Sequence, residues 1–219
     1  MSPASKRRPD KRAAILRGAR EVFLRAGFSR ATVEEIAADA GVSKPTVYNH
    51  FDGKDALFLA VVAETVAPVR AEVERLVALH LDDIDRTGLR GALVDFGQAW
   101  IRTSVLFPEH ASLLRVVIAE AAHLPEVVDV WRRSGAGPSQ EALARRLAAL
   151  HRDGLIDAPD PATATRHLTA LVVSPAQSRS FFGAQELSDA EVAELVQDGV
   201  DAFLRVHAPR RAQGARRGP

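Results

Sequence analysis

The stretch that most limits the fold is residues 32–51, TVEEIAADAGVSKPTVYNHF. Thr32 followed three residues later by Glu35 has the pattern of a reciprocal cap at a helix start. Val33, Ile36, Ala37 and Ala40 then recur at helical spacing on one apolar face. Gly41 suits the left-handed residue that closes a helix. Ser43 is placed to cap the next helix, and Pro45 is tolerated in its first turn, where backbone N–H groups lack partners anyway. Two helices joined by a glycine-containing turn of about three residues make a helix-turn-helix.

A further helix precedes this pair. Ile15, Ala19, Val22, Phe23 and Ala26 share one face, Pro9 and Asp10 suit its start, and Gly27 with Phe28 suits its end. Residues 10–51 therefore read as three helices.

The segment 44–51 holds two large apolar residues, Val47 and Phe51, among many donors. On a wheel of about 100° per residue those two face inward, and Pro45, Thr46, Tyr48 and Asn49 face outward. Such an outer face suits the DNA major groove. Thr46 offers a hydroxyl and a methyl, Asn49 can read an adenine edge bidentately, and Lys44 can reach guanine. Tyr48 and His50 flank that face, where they can bond phosphates. The helix N-terminus and Lys54 add attraction for phosphate. A polar surface helix with nothing docked would show the same wheel, so the charge distribution matters. Residues 1–54 carry 11 Lys/Arg against 6 Asp/Glu, residues 55–204 carry 13 against 22, and residues 205–219 carry 5 against none. A basic N-terminal portion on an acidic body fits a polyanionic partner.

The run FSRATVEEIAADAGVSKPTVYNHFDGKDALFLAVV, with its spacing kept from about residue 12 to 62, resembles the N-terminal domain of TetR-family transcriptional regulators. The resemblance implies a homodimer whose two helix-turn-helix units sit in successive major grooves of double-stranded DNA. It also implies an inducer that binds the C-terminal domain and pulls those units out of register. Carried over by position, it places base and phosphate contacts on Thr32, Ser43, Lys44, Pro45, Thr46, Tyr48, Asn49, His50 and Lys54. Gly53 departs from the pattern, since relatives often have a capping Ser there; Gly also serves as an N-cap at slight cost. LFPEHASLLRVVIAEAAHLPEV and LVVSPAQSRSFFG bear a looser resemblance to the C-terminal domain of the AefR-like branch.

The remainder reads as helices. Residues 54–80 form one long helix with a kink at Pro68. HLDDIDRTGLRG reads as a loop, after which Leu93, Phe96, Trp100, Val105 and Phe107 continue the apolar pattern. Pro108 and Pro125 each start a helix, and GAGPS at 135–139 leaves open whether 124–153 is one kinked helix or two. The segment from Asp157 to Gly183 reads as a helix disturbed at Pro175. Ser188 and Glu191 form a second capping box. No strand and no repeat is legible, so the fold class is all-α.

Three constellations carry possible chemistry. Phe96, Trp100, Phe107, Leu114, Ile118 and Trp131, with His167 as a polar group facing them, could line a pocket for a small apolar or amphipathic ligand, although such a set is more often core. Leu168, Leu171, Val172, Val192, Leu195, Val196, Val200 and Phe203 repeat at bundle-like spacing. They could pair with their copies in a partner or serve the chain's own core. His80, Asp82, Asp83 and Asp85 gather acids at a helix end, where acids are usually just solvated, so no metal, cofactor or catalytic site is expected.

The expected organisation is a helix-turn-helix domain at 1–53 with a flexible basic arm at 1–9. A larger helical ligand-binding and dimerisation domain follows at 54–208, then a disordered basic tail at 209–219. Without cysteine, secretory signal or bilayer-length apolar run, the expected location is the cytoplasm. The expected activity is that of a homodimeric, ligand-released repressor rather than an enzyme. A helical enzyme with a basic N-terminal bundle, an architectural DNA binder and a regulator without inducer stay open as alternatives.

Overall fold

A computed structural model describes residues 10–209. The expected arm at 1–9, and all but the first residue of the expected tail, lie outside the described residues. Every regular element among the described residues is helical: α1 (Lys11–Ala26), α2 (Val33–Asp39), α3 (Lys44–Tyr48), α4 (Lys54–Leu81), α5 (Leu89–Ser104), α6 (Pro108–Glu120), α7 (Glu126–Trp131), α8 (Gly137–Arg152), α9 (Pro161–Leu168), α10 (Ser174–Arg179) and α11 (Asp189–Val206). Among them, no helix is long and apolar enough to cross a membrane.

The described residues divide into two compact units, 10–66 with 112–132, and 67–111 with 133–209. The first therefore runs past residue 53 into α4 and takes back most of α6 and all of α7. Its core shows why. Leu113, Val117 and Val127 are buried with Ile15, Phe23, Ile36, Val47, Leu57 and Phe58. Phe23, Phe28 and Phe58 form a ring cluster, with Phe23 edge-on to Phe58 at 5.0 Å and Phe28 4.9 Å from Phe58. The local signals at the helix ends operate. Asp10 caps α1 through the N–H groups of Arg12 and Ala13. Gly27 and Gly41 take positive φ where α1 and α2 end.

The second unit is built around α5, α9 and α11. Its core includes Leu93, Phe96, Trp100, Leu143, Leu147, Leu168, Val172, Val196 and Phe203. Two π-turns, Arg132–Ala136 and Thr169–Val173, interrupt the helices without ending them. Residues 126–152 are thus one helix with an internal π-turn, and 161–179 are another. In both, a proline follows the π-turn by two residues, Pro138 and Pro175. A proline has no N–H for the carbonyl four residues back and its ring collides with that carbonyl. A locally wider turn relieves the collision. Arg90 forks onto Asp201 at 2.7 and 2.9 Å, and Arg102 meets Asp189 at 2.7 Å, so two ion pairs join α5 to α11. Ser188 and Glu191 form the expected capping box at the start of α11.

Candidate nucleic-acid interface

α2 and α3 are set against each other by residues with little else to do. Val33, Ile36 and Ala37 of α2 and Val47 of α3 are buried, as is Phe51 just beyond. Val42 N–H donates to Ala37 O at 2.9 Å and closes the turn between the helices. Ser43, Lys44, Pro45, Tyr48, Asn49 and His50 are exposed and Thr46 is partly so. Tyr48 leaves 48% of its surface open, unusual for a large ring and suited to contact outside the chain.

α3 is shorter than the wheel implied and ends at Tyr48. Asn49 keeps helical angles at φ −70 and ψ −16, so it stays on the outward face. His50 lies in the turn that follows.

Ser43 stands at the N-cap position but does not cap with its side chain. Its hydroxyl pairs with that of Thr46 at 2.8 Å instead. The usual targets are missing: the second residue of the helix is Pro45, with no N–H, and the third, Thr46, gives its N–H to the Ser43 carbonyl at 2.9 Å.

Lys44 meets the carboxylate of Glu34 across the turn and lies 5.9 Å from the Tyr48 ring centre. The hydrogen bond to Lys44 holds the Glu34 carboxyl below its ordinary range, and Glu34 raises the Lys44 ammonium in turn. Both groups are exposed, and exposed ion pairs of this kind are exchanged easily. Lys44 can therefore turn to a phosphate or a guanine edge.

Two expected contacts change role. The Lys54 ammonium donates to the carbonyls of Phe28, Ser29 and Ala31 at 3.0, 3.4 and 3.2 Å. It also stands 4.4 Å from the Phe28 ring centre. Its three donors are occupied in tying the start of α4 to the segment after α1, so a phosphate role is corrected to a structural one. Thr32 donates its N–H and its hydroxyl to Glu35 and accepts the Glu35 N–H. Both of its donors serve the capping box, which also holds the Glu35 carboxyl low. Glu34 is the residue that sequence reasoning missed. It lies ten positions before its partner, and only the turn angle brings them together.

The expected ligand-binding set is scattered over both units. In the first, Leu114 and Trp131 are partly buried and Ile118 is 49% exposed. In the second, Phe96 and Trp100 are core residues whose ring centres lie 5.2 Å apart, while Phe107 is 45% exposed. His167 meets a second histidine. It is exposed, and its Nδ1 lies 3.1 Å from Nε2 of His207, whose Nδ1–H donates to Asp157 O at 2.8 Å. The expected dimer set is corrected as well. Leu168, Val172, Val192, Val196, Val200 and Phe203 have essentially no exposed surface within the single chain, and only Leu171 and Leu195 are partly open. They are intrachain core because α11 packs against α5, the second π-turn and α9 closely enough to cover them. Of the acids near α4's end, Asp82 pairs with Arg146 at 3.4 Å, and Asp85 accepts from Thr87 and Gly88.

Known proteins share this arrangement. Residues 15–61 match the family model described as bacterial regulatory proteins, tetR family. Residues 91–209, more than half of the chain, match that of the AefR-like transcriptional repressor C-terminal domain. The chain belongs to the TetR family. This TetR-family regulator is 30% identical over 179 residues to an uncharacterized HTH-type transcriptional regulator of Mycobacterium tuberculosis, Rv2250c, covering 81% of this chain and 84% of that one. It is 39% identical over 89 residues to the HTH-type transcriptional activator FasR of Mycolicibacterium smegmatis, covering 41% of this chain and only 40% of that one. A crystal structure of a Mesorhizobium loti protein assigned to the TetR-family regulators superposes with a TM-score of 0.82 at 30% identity, over 93% of this chain and 99% of that one.

Proposed function

We propose that this TetR-family chain is a sequence-specific DNA-binding regulator that acts as a homodimer on a palindromic operator and is released by a small apolar or amphipathic ligand. The observation that carries the reading is the outer surface of α3. Around the buried Val47 stand Lys44, Pro45, Thr46, Tyr48, Asn49 and His50, most of them open to solvent. A helix with donors, a methyl and an amide on one free face has the chemistry that reads base edges in a major groove.

Asn49 and Thr46 are assigned to base edges, Lys44 to a guanine or phosphate, and Ser43, Tyr48 and His50 to phosphates. Pro45 makes apolar contact. Thr32 and Lys54 are left out, because their donors are engaged within the chain. The DNA-reading part is taken as 1–53 and the dimerisation and ligand-binding part as 54–208, acting in the cytoplasm.

Regulators of this family bind DNA and form dimers. Two recognition helices about 34–36 Å apart meet successive major grooves on one side of the duplex. A ligand that favours a conformation with another separation lowers DNA affinity by no more than its differential affinity for the two states. Repression is assigned as the default, in keeping with the repressor C-terminal domain that residues 91–209 match. The same readout would serve an activator such as FasR.

A genome-fragment pull-down at about 150 mM salt, which suppresses nonspecific phosphate binding, tests the reading. Recovery of a few fragments sharing an inverted repeat supports it. Indiscriminate recovery would make the chain an architectural binder instead.

A further inference from the structure

The segment assigned to DNA carries little positive charge of its own. Between residues 31 and 53, Lys44 is the sole lysine or arginine, against four acids, Glu34, Glu35, Asp39 and Asp52. Glu35 closes the capping box with Thr32, and Asp39 faces Arg25 at 3.9 Å. Glu34, in the first turn of α2, holds the one cation.

The fold places that pair on the outward side. Val33 is buried, which turns its neighbour Glu34 to solvent, and Lys44 reaches back across the turn to meet it. Both side chains stay open, Lys44 by 46% and Glu34 by 62%. The Lys44 ammonium also lies 5.9 Å from the ring centre of the exposed Tyr48, so the pair borders the outer surface of α3.

The pairing opposes every DNA contact that Lys44 makes. Lys44 reaches a phosphate or a guanine edge only by leaving Glu34. Glu34 then stands as a bare carboxylate beside a polyanion. A lysine that neutralises a phosphate releases a condensed cation, and this release drives nonspecific binding. When the lysine leaves a carboxylate behind, that carboxylate draws a cation back and reduces the net release. The opposition falls on phosphate contacts whatever the sequence. Thr46 and Asn49 are uncharged, and the bonds assigned to them escape it.

We propose that Glu34 is the internal counter-ion of Lys44, a residue that weakens the grip of the helix-turn-helix on phosphate and leaves discrimination to Thr46 and Asn49. The role rests on the DNA-binding reading and adds the residue that limits its strength.

Affinities of wild type, Glu34→Gln, Lys44→Gln and the double variant test it, measured on the recovered site and on a scrambled duplex from about 50 to 200 mM salt. Glu34→Gln leaves the Thr32–Glu35 cap untouched and keeps a good helix former. It is expected to tighten binding to both duplexes at least about threefold, the scale of one exposed ion pair in each half of a dimer, and to steepen the salt dependence. In the Lys44→Gln background the gain in log affinity is expected to fall below about half, because the cycle isolates the pair. Unchanged affinity and salt dependence in Glu34→Gln overturn the proposal. An equal gain without Lys44 overturns it too and makes Glu34 a repulsive group acting alone. Lost preference at one base pair also overturns it and makes Glu34 a reader of cytosine. A wild-type chain that binds both duplexes equally overturns the sequence-specific reading, and the gain in Glu34→Gln still decides the counter-ion role. A chain that binds neither overturns both.

Discussion

A Cβ placed on Gly199 would stand 2.3 Å from the carbonyl oxygen of Leu171. Leu171 lies in the second π-turn, four residues before Pro175, so its carbonyl has no N–H to accept at the usual helical position. α11 approaches that carbonyl only because residue 199 has no side chain. Gly97 acts likewise on α5, where a Cβ would come within 2.7 Å of Val196 Cγ1. Gly199→Ala is expected to destabilise the chain by about 1–3 kcal/mol, the usual range for overpacking a dense core. Urea denaturation measures it, and a loss below about 0.5 kcal/mol would mean the helices separate at little cost.

Lys54 is expected to act on stability and not on DNA. Lys54→Met keeps the stem over Phe28 and deletes the donor shared by three carbonyls. The fold should lose about 1 kcal/mol, the low end of the range for partly exposed acceptors left without a donor. The salt dependence of DNA binding should stay as in the wild type. A slope flatter by about one unit with unchanged stability would return Lys54 to the phosphate backbone.

The start of α2 and the ends of α1 and α2 were legible because their signals are local. Thr32 with Glu35, Ser188 with Glu191, and Gly27 and Gly41 act on neighbours within a few residues. Where a partner comes from far along the chain, the reading failed. Lys54 finds carbonyls more than twenty residues back, and Lys44 finds Glu34 across a turn. The apolar spacing of α9 and α11 shows a face that must be covered, but the spacing is the same whether a second chain or α5 covers it. The ligand set is not decided by spacing either, since aromatic content does not say which residues share a cavity. The positive φ of Phe181 and Phe182 left no trace in composition, because FFG reads only as a helix stop.

The protein is expected to lose stability as pH falls through the histidine range. His110 is buried and donates Nδ1–H to Ser104 O at 2.9 Å, and desolvation pushes its pKa below the ordinary 6.5. The unfolded chain therefore takes up a proton at this site before the folded chain does. Stability is fully present above the ordinary value and declines as pH drops below it, by at most about 1.4 kcal/mol per unit, until the folded histidine also protonates. The low-lying carboxyls of Glu35, Asp160 and Glu191 act only further down, where their capping bonds are lost. Chemical denaturation at pH 7.5 and 5.5 should show the decline, and His110→Asn, which keeps a donor for Ser104, should reduce it. An equal decline in the variant would assign it elsewhere.

If the outward face of α3 reads sequence, Asn49, exposed on that face and assigned to a base edge, carries part of the readout. The most direct measurement is affinity for the recovered site and for its single-base-pair variants, taken at one fixed salt concentration with wild type and with Asn49→Ala. Asn49→Ala is expected to lose about 1–3 kcal/mol of discrimination at one position in each half-site, with preferences elsewhere intact. Base preferences identical to the wild type at every position would contradict it and remove Asn49 from the readout.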